Sequence, residues 1–163
     1  MPPHVPRLPR IVEADARHDA VRRLLLETSS PLWPDAATEV PSIAPTEALH
    51  AALAAARAAG RVERGLETIA ASLAGEARGL RAAGLADADR ASRLLLVSDD
   101  GSDRFYRQIG QVLREHGHRV LALRLRCDAA TLGAMVFGAG TTAKAACVSH
   151  KEAVAAVLLA LVA

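Results

Sequence analysis

Proline and glycine occupy different parts of this chain. All eight prolines lie between Pro2 and Pro45, and all eleven glycines lie from Gly60 onward. Proline fixes φ and removes a backbone donor, so it breaks long helices and central strands. Glycine marks tight turns and helix ends in compact folds. The shift places a boundary near Pro45. It predicts a proline-rich N-terminal extension over residues 1–45 and a folded domain over residues 46–163. A chain of 163 residues holds one domain of ordinary size with an appendage. Hydrophobic residues make up 51% but aromatics only 2%, so Ala, Leu and Val must build the core.

Within the extension, Ala14 to Glu27 predicts one helix with Val21, Leu24 and Leu25 on a shared face. Ser30 to Pro34 reads as extended and carries the single tryptophan, Trp33. Such a residue either packs the extension onto the domain or anchors a partner protein, where tryptophan is favoured. The segment has five arginines but also six acids, from Glu13 to Glu39. Transit peptides avoid acids, so a cytoplasmic or nuclear and nucleolar location is expected.

The domain alternates helix and strand. Thr46 predicts an N-cap for a helix over 47–59, closed by Gly60. A short strand over 61–63 and a helix over 66–73 follow. The stretch 75–90 holds three glycines and many charges and reads as an expanded loop. Arg93 to Val97 is an apolar run of the kind buried on both faces of a sheet. A helix is expected over 103–116, with Phe105, Ile109, Val112 and Leu113 on one stripe. Strands over 119–125 and 143–149 and helices from Asp128 to Val136 and from His150 to Ala163 complete the pattern. The expected fold is α/β, a three-layer α/β/α sandwich with a small mixed four-stranded sheet.

The formal charge of +2 argues against a strongly basic coat, but not against a local basic patch. Apolar stretches stop short of the ~18 residues a membrane helix needs, so no membrane partner is expected. Cys127 and Cys147 are too few for a disulfide framework and suit a reducing compartment. Asp99-Asp100 after an apolar strand looks like the acidic start of a phospho-receiver, but the chain is too short for five βα units. The stretch Gly138 to Lys144 lacks the adjacent Gly-Lys of a phosphate loop. His116 and His118 flank Gly117 without cysteine partners, so no metal site is predicted. No nucleophile–base set has a local signature; no catalytic residue and no cofactor is assigned, and the chain is expected not to be an enzyme.

What remains is Gly60-Arg61-Val62-Glu63-Arg64-Gly65-Leu66-Glu67-Thr68. A glycine where a helix begins presents free N–H groups to an anion. Arg61 and Arg64 add charge-assisted donors suited to RNA phosphate.

Three blocks of the domain resemble the L-seven-Ae family of RNA-binding proteins, which includes ribosomal proteins L-thirty-e and S-twelve-e and a subunit of RNase P and RNase MRP. They are Ala51 to Leu73 with Arg64-Gly65, Arg93 to Asp100, and Thr131-Leu132-Gly133 through Gly138. The resemblance implies a non-catalytic subunit of a ribonucleoprotein. It would bind structured RNA, often a kink-turn, beside other subunits. It implies an RNA-binding set of Arg61, Arg64, Gly65, Glu67 and Thr68, with Gly138, Gly140 and Thr141 as a second loop. In the family the turn reads Arg-Gly-x-Asn-Glu-x-x-Lys; Arg64 and Gly65 match it. Glu67, Thr68 and Ala71 depart from it. An alternative is a protein-interaction domain of the same fold that has lost RNA binding, with Trp33 or the acidic loop at Asp99 as docking points.

Overall fold

The structure, a computed structural model, describes residues 5–85 and 89–163. In chain order it holds α1 (Arg10–Glu13), α2 (His18–Glu27), β1 (Ser29–Pro31), β2 (Glu39–Ile43), α3 (Glu47–Ala58), β3 (Val62–Arg64) and α4 (Leu66–Ala82). Then come β4 (Arg93–Val97), α5 (Asp103–His116), β5 (Val120–Leu125), α6 (Ala129–Phe137), β6 (Ala145–Val148) and α7 (Lys151–Ala160).

The apolar run Leu94-Leu95-Leu96-Val97 lies in the interior of the sheet because both of its faces are covered. Leu94 and Leu96 pack on one side with Leu53 of α3, Leu132 of α6 and Val154 of α7. Leu95 and Val97 pack on the other with Ile69 of α4 and Ile109 of α5. Strand β5 alternates in the same way: Leu121 and Leu123 face the first cluster, Val120 and Ala122 the second. The result is a mixed α/β fold with helices on both faces of the sheet. Each of these leucines, fully buried, contributes roughly 1.5–3 kcal/mol of apolar transfer.

The sheet has six strands in the order β1-β2-β5-β4-β6-β3, not the four expected. The two additional strands come from the proline-rich segment. Strand β2 runs parallel to β5 only through Ser42↔Arg124 and Ile43↔Leu125. Pro41 stands just before that pairing and meets Ser29 of β1 instead, so its missing donor breaks no bond to β5. Two prolines in or beside these short strands hid them from a reading of alternation. The same segment buries Leu8, Val12, Val21 and Leu25 in the cluster that holds Leu53 and Val154. The helix expected over 14–27 begins only at His18, as α2, and a short α1 precedes it over Arg10–Glu13. Between them Arg17 donates to the Asp15 carboxylate from both its backbone N and its Nε, which fixes a turn.

Helix α4 continues nine residues past its expected end at Leu73, to Ala82. Gly75 and Gly79 each cost a helix about 1 kcal/mol relative to alanine. Tertiary contact overrides them: Ile69 and Leu73 are buried, and Arg93 donates from Nε to both oxygens of Glu76 at 3.0 Å. Part of the loop expected over 75–90, at 86–88, lies outside the described residues. Among the described residues no helix is long and apolar enough to cross a membrane.

Candidate nucleic-acid interface

Strand β3 lies antiparallel to β6, with Val62↔Val148, Glu63↔Cys147 and Arg64↔Ala146. The carboxyl end of β3 therefore sits beside the loop that enters β6. Gly65 extends the pairing by donating its N–H to the carbonyl of Ala145 at 3.1 Å. The chain then turns into α4 through a backbone with φ +88° at Gly65, a value that favours glycine.

Helix α4 opens without a side-chain cap. The neighbouring helices do not. Thr46 caps α3 by accepting from Leu49 N, Ser102 caps α5 by accepting from Phe105 N, and Asp128 caps α6 by accepting from Thr131 N. The N–H groups in the first turn of α4 thus keep the unpaired donors that every helix start has.

Arg64 is exposed, and it joins the two predicted segments. Its Nε and Nη2 donate to the carbonyl of Thr142 at 3.0 and 2.6 Å. Nη1 carries no hydrogen bond among the described residues. The loop it grips is shaped by glycine: φ is +103° at Gly138 and +84° at Gly140. The Thr141 carbonyl lies directly on α6, where a Cβ added to Gly133 would fall 2.0 Å from that oxygen. That close approach is the physical reason for a glycine after Leu132. Arg57 of α3 covers Gly138, whose added Cβ would fall 2.5 Å from the Arg57 Nη1.

The predicted set divides. Arg64 and Gly65 reach the loop that enters β6 through the Thr142 and Ala145 carbonyls, whereas Gly138 lies on the α3–α6 side of that loop and Glu67 on the α4–α5 side. Arg61 does not join them. It stands at the opposite end of β3, with Nη1 3.0 Å from Nδ1 of His150, and its carbonyl accepts from Ser149 N at 2.8 Å. Three residue steps along the strand separate the two arginines by about 10 Å. Arg57 was not foreseen in the site, because its contact with Gly138 joins two helices distant in sequence. Glu67 and Thr68 are exposed in the first turn of α4. The Glu67 charge complements the positive end of the helix dipole.

The acids further along this edge serve as caps. Asp100 accepts from Ala129 N at 3.2 Å. The nearby Ser98 hydroxyl and the Ala129 N–H hold its carboxyl below the usual range. The hydrogen bond with Thr131 does the same for Asp128. Burial pushes the thiol of Cys127 up to about 11 and that of Cys147 up to about 12, so both are protonated at neutral pH. Among the described residues no three His, Cys, Asp or Glu side chains group as a metal site. Trp33 lies against α5: a Cβ at Gly110 would fall 3.2 Å from its ring, and the Arg107 guanidinium sits 4.9 Å from the ring centroid.

No protein-family model matches this chain. No curated protein matches it either. A solved structure described as a protein of unknown function from Bacillus halodurans is similar over 70% of this chain and 98% of its own, with 12% identity and a TM-score of 0.45.

Proposed function

We propose that this chain is a non-catalytic RNA-binding subunit of a ribonucleoprotein, of the ribosomal or RNase P/MRP type. It takes structured RNA at the β3–α4 turn and the 138–142 loop. The observation that carries this reading is the fork from Arg64 to the Thr142 carbonyl beside an uncapped helix start. It joins two glycine-shaped backbone segments through one exposed guanidinium. Arg57 supplies a second cation at the loop. The resemblance to the L-seven-Ae family supports the same turn. Glu67, Thr68 and Ala71 stand where that family carries Asn, Glu and Lys, so phosphate contacts position the RNA and base reading contributes little.

The test is RNA affinity at several salt concentrations, after cross-linking in native cells has identified the bound RNA. Arg64→Ala is expected to weaken binding about tenfold and to reduce the salt slope by about one. Unchanged affinity and slope would overturn the reading.

One observation favours a second reading, a protein-interaction domain of the same fold. The exposed Glu67 occupies the first turn of α4, where an incoming phosphate would meet its charge. That reading predicts co-purifying proteins and no RNA above background.

A further inference from the structure

A second basic surface lies away from the β3–α4 turn, at the other end of α4. The second half of α4 and the end of α5 enclose a cleft of about 430 Å³. Arg78 and Arg81 of α4 line one wall, one helical turn apart and exposed. His116, His118 and Arg119 line the other, with Glu115 at the rim. Among the described residues three arginines thus face one carboxylate. Glu115 is itself engaged, accepting from Gln111 Nε2 at 2.6 Å.

The floor is buried and under-satisfied. His116 and Arg119 are 6% and 3% exposed. Nδ1 of His116 and Nε of Arg119 are buried without a hydrogen-bond partner among the described residues. Arg119 donates from Nη2 to the Leu73 carbonyl at 2.9 Å. Its Nη1 is 3.7 Å from Glu76, whose carboxylate Arg93 already holds at 3.0 Å. One carboxylate therefore answers two guanidiniums, one buried and one partly exposed, and the three groups together carry a net positive charge. Buried charges are ordinarily paired, because the interior solvates an uncompensated one poorly.

We propose that this cleft is a binding site for a phosphate group. Arg78 and Arg81 close over the anion from the rim, His118 donates at the mouth, and the surplus charge of Arg119 draws it inward. Arginine suits this task because its planar fork matches phosphate oxygens in pairs. Burial and the neighbouring Arg119 hold His116 below the usual imidazole range. At neutral pH the attraction therefore comes from the arginines. A free phosphate and an RNA backbone carry the same chemistry, and the volume admits a phosphate with its attached sugar.

The test follows the imidazole NMR resonances of His116 and His118 in the full chain. Inorganic phosphate is titrated in one series and a single-stranded oligouridylate without a terminal phosphate in another. Saturable shifts are expected at His118 in at least one series. Shifts with the oligonucleotide alone assign the source to RNA backbone; shifts with phosphate assign it to the free anion. In the R78A/R81A variant, whose changes are on the surface, affinity falls about tenfold or more. No shift in either series, or equal shifts in the double variant, would overturn the proposal. Inorganic phosphate shifts at His118 read this cleft alone, and RNA affinity in Arg64→Ala reads the β3–α4 turn, so the two failures are separable.

Discussion

The two ends of α4 handle positive charge in opposite ways. At its start, Arg64 is exposed and its guanidinium grips a backbone carbonyl of a surface loop. In its second half, Glu76 reaches a buried Arg119 that also holds the Leu73 carbonyl. Removing the first guanidinium releases a loop to water. Removing the second leaves a carbonyl and part of a carboxylate's pairing unmet inside the protein. A replaceable cation thus lies beside the start of the helix and a structural one beside its second half.

The largest expected effect tests the buried end. Arg119→Ala should destabilise the chain by about 2–4 kcal/mol, because the Leu73 carbonyl loses its donor and a cavity is left, read as a lower midpoint in denaturant. A loss under about 1 kcal/mol would erase the contrast with Arg64.

Next in size is a change beside the loop that Arg64 grips. Gly133→Ala forces a methyl into the Thr141 carbonyl. Thermal unfolding should show a loss of about 1–3 kcal/mol, as overpacking costs elsewhere. RNA affinity should fall with it, because the 138–142 loop must shift.

Arg64→Ala sharpens the comparison from the other side. Stability should stay within about 0.5 kcal/mol of the parent, as for most surface changes. A larger loss in the same denaturation measurement would mean that the 138–142 loop belongs to the core's cooperative unit.

The smallest effect is a pH slope. Burial lowers the His116 pKa in the folded chain, so the unfolded chain binds the proton first as pH falls. Its contribution to stability is complete above the unfolded value of about 6.5. It is lost progressively as pH drops from there towards the depressed folded value. Melting temperatures between about pH 7.5 and pH 5.5 should decline less steeply in His116→Gln than in the parent. Equal slopes would show that another group carries the dependence.

Much of the domain could be read from local pattern. The run at Leu94–Val97, the cap at Thr46 and the glycine at 65 each announce their structure within a few residues. Strand β2 could not be read, because Val40-Pro41 breaks the alternation that signals a strand, and the pairing that places it lies with Arg124 and Leu125. The length of α4 could not be read either. Gly75 and Gly79 argue locally for a loop, and Glu76 answers them through Arg93 and Arg119. At the candidate site, the neighbourhood of Arg64 and Gly65 was legible from residue type. The separation of Arg61 and the arrival of Arg57 were not, because both depend on which strand and which helix lie alongside.

The contact of α1 with α7 has a consequence for how the protein is made. Val12 of α1 shares its cluster with Val154 and Leu158 of α7, and β2 waits for β5 before its carbonyl at Ile43 accepts from Arg126 N. During synthesis the amino-terminal strands leave the ribosome well before either partner exists. Closing so long a loop is slow, since entropy is lost before the distant contacts form. Through that interval Leu8, Val12, Val21 and Leu25 are exposed together, and a nascent chain of this design has its greatest need of a chaperone before α7 emerges.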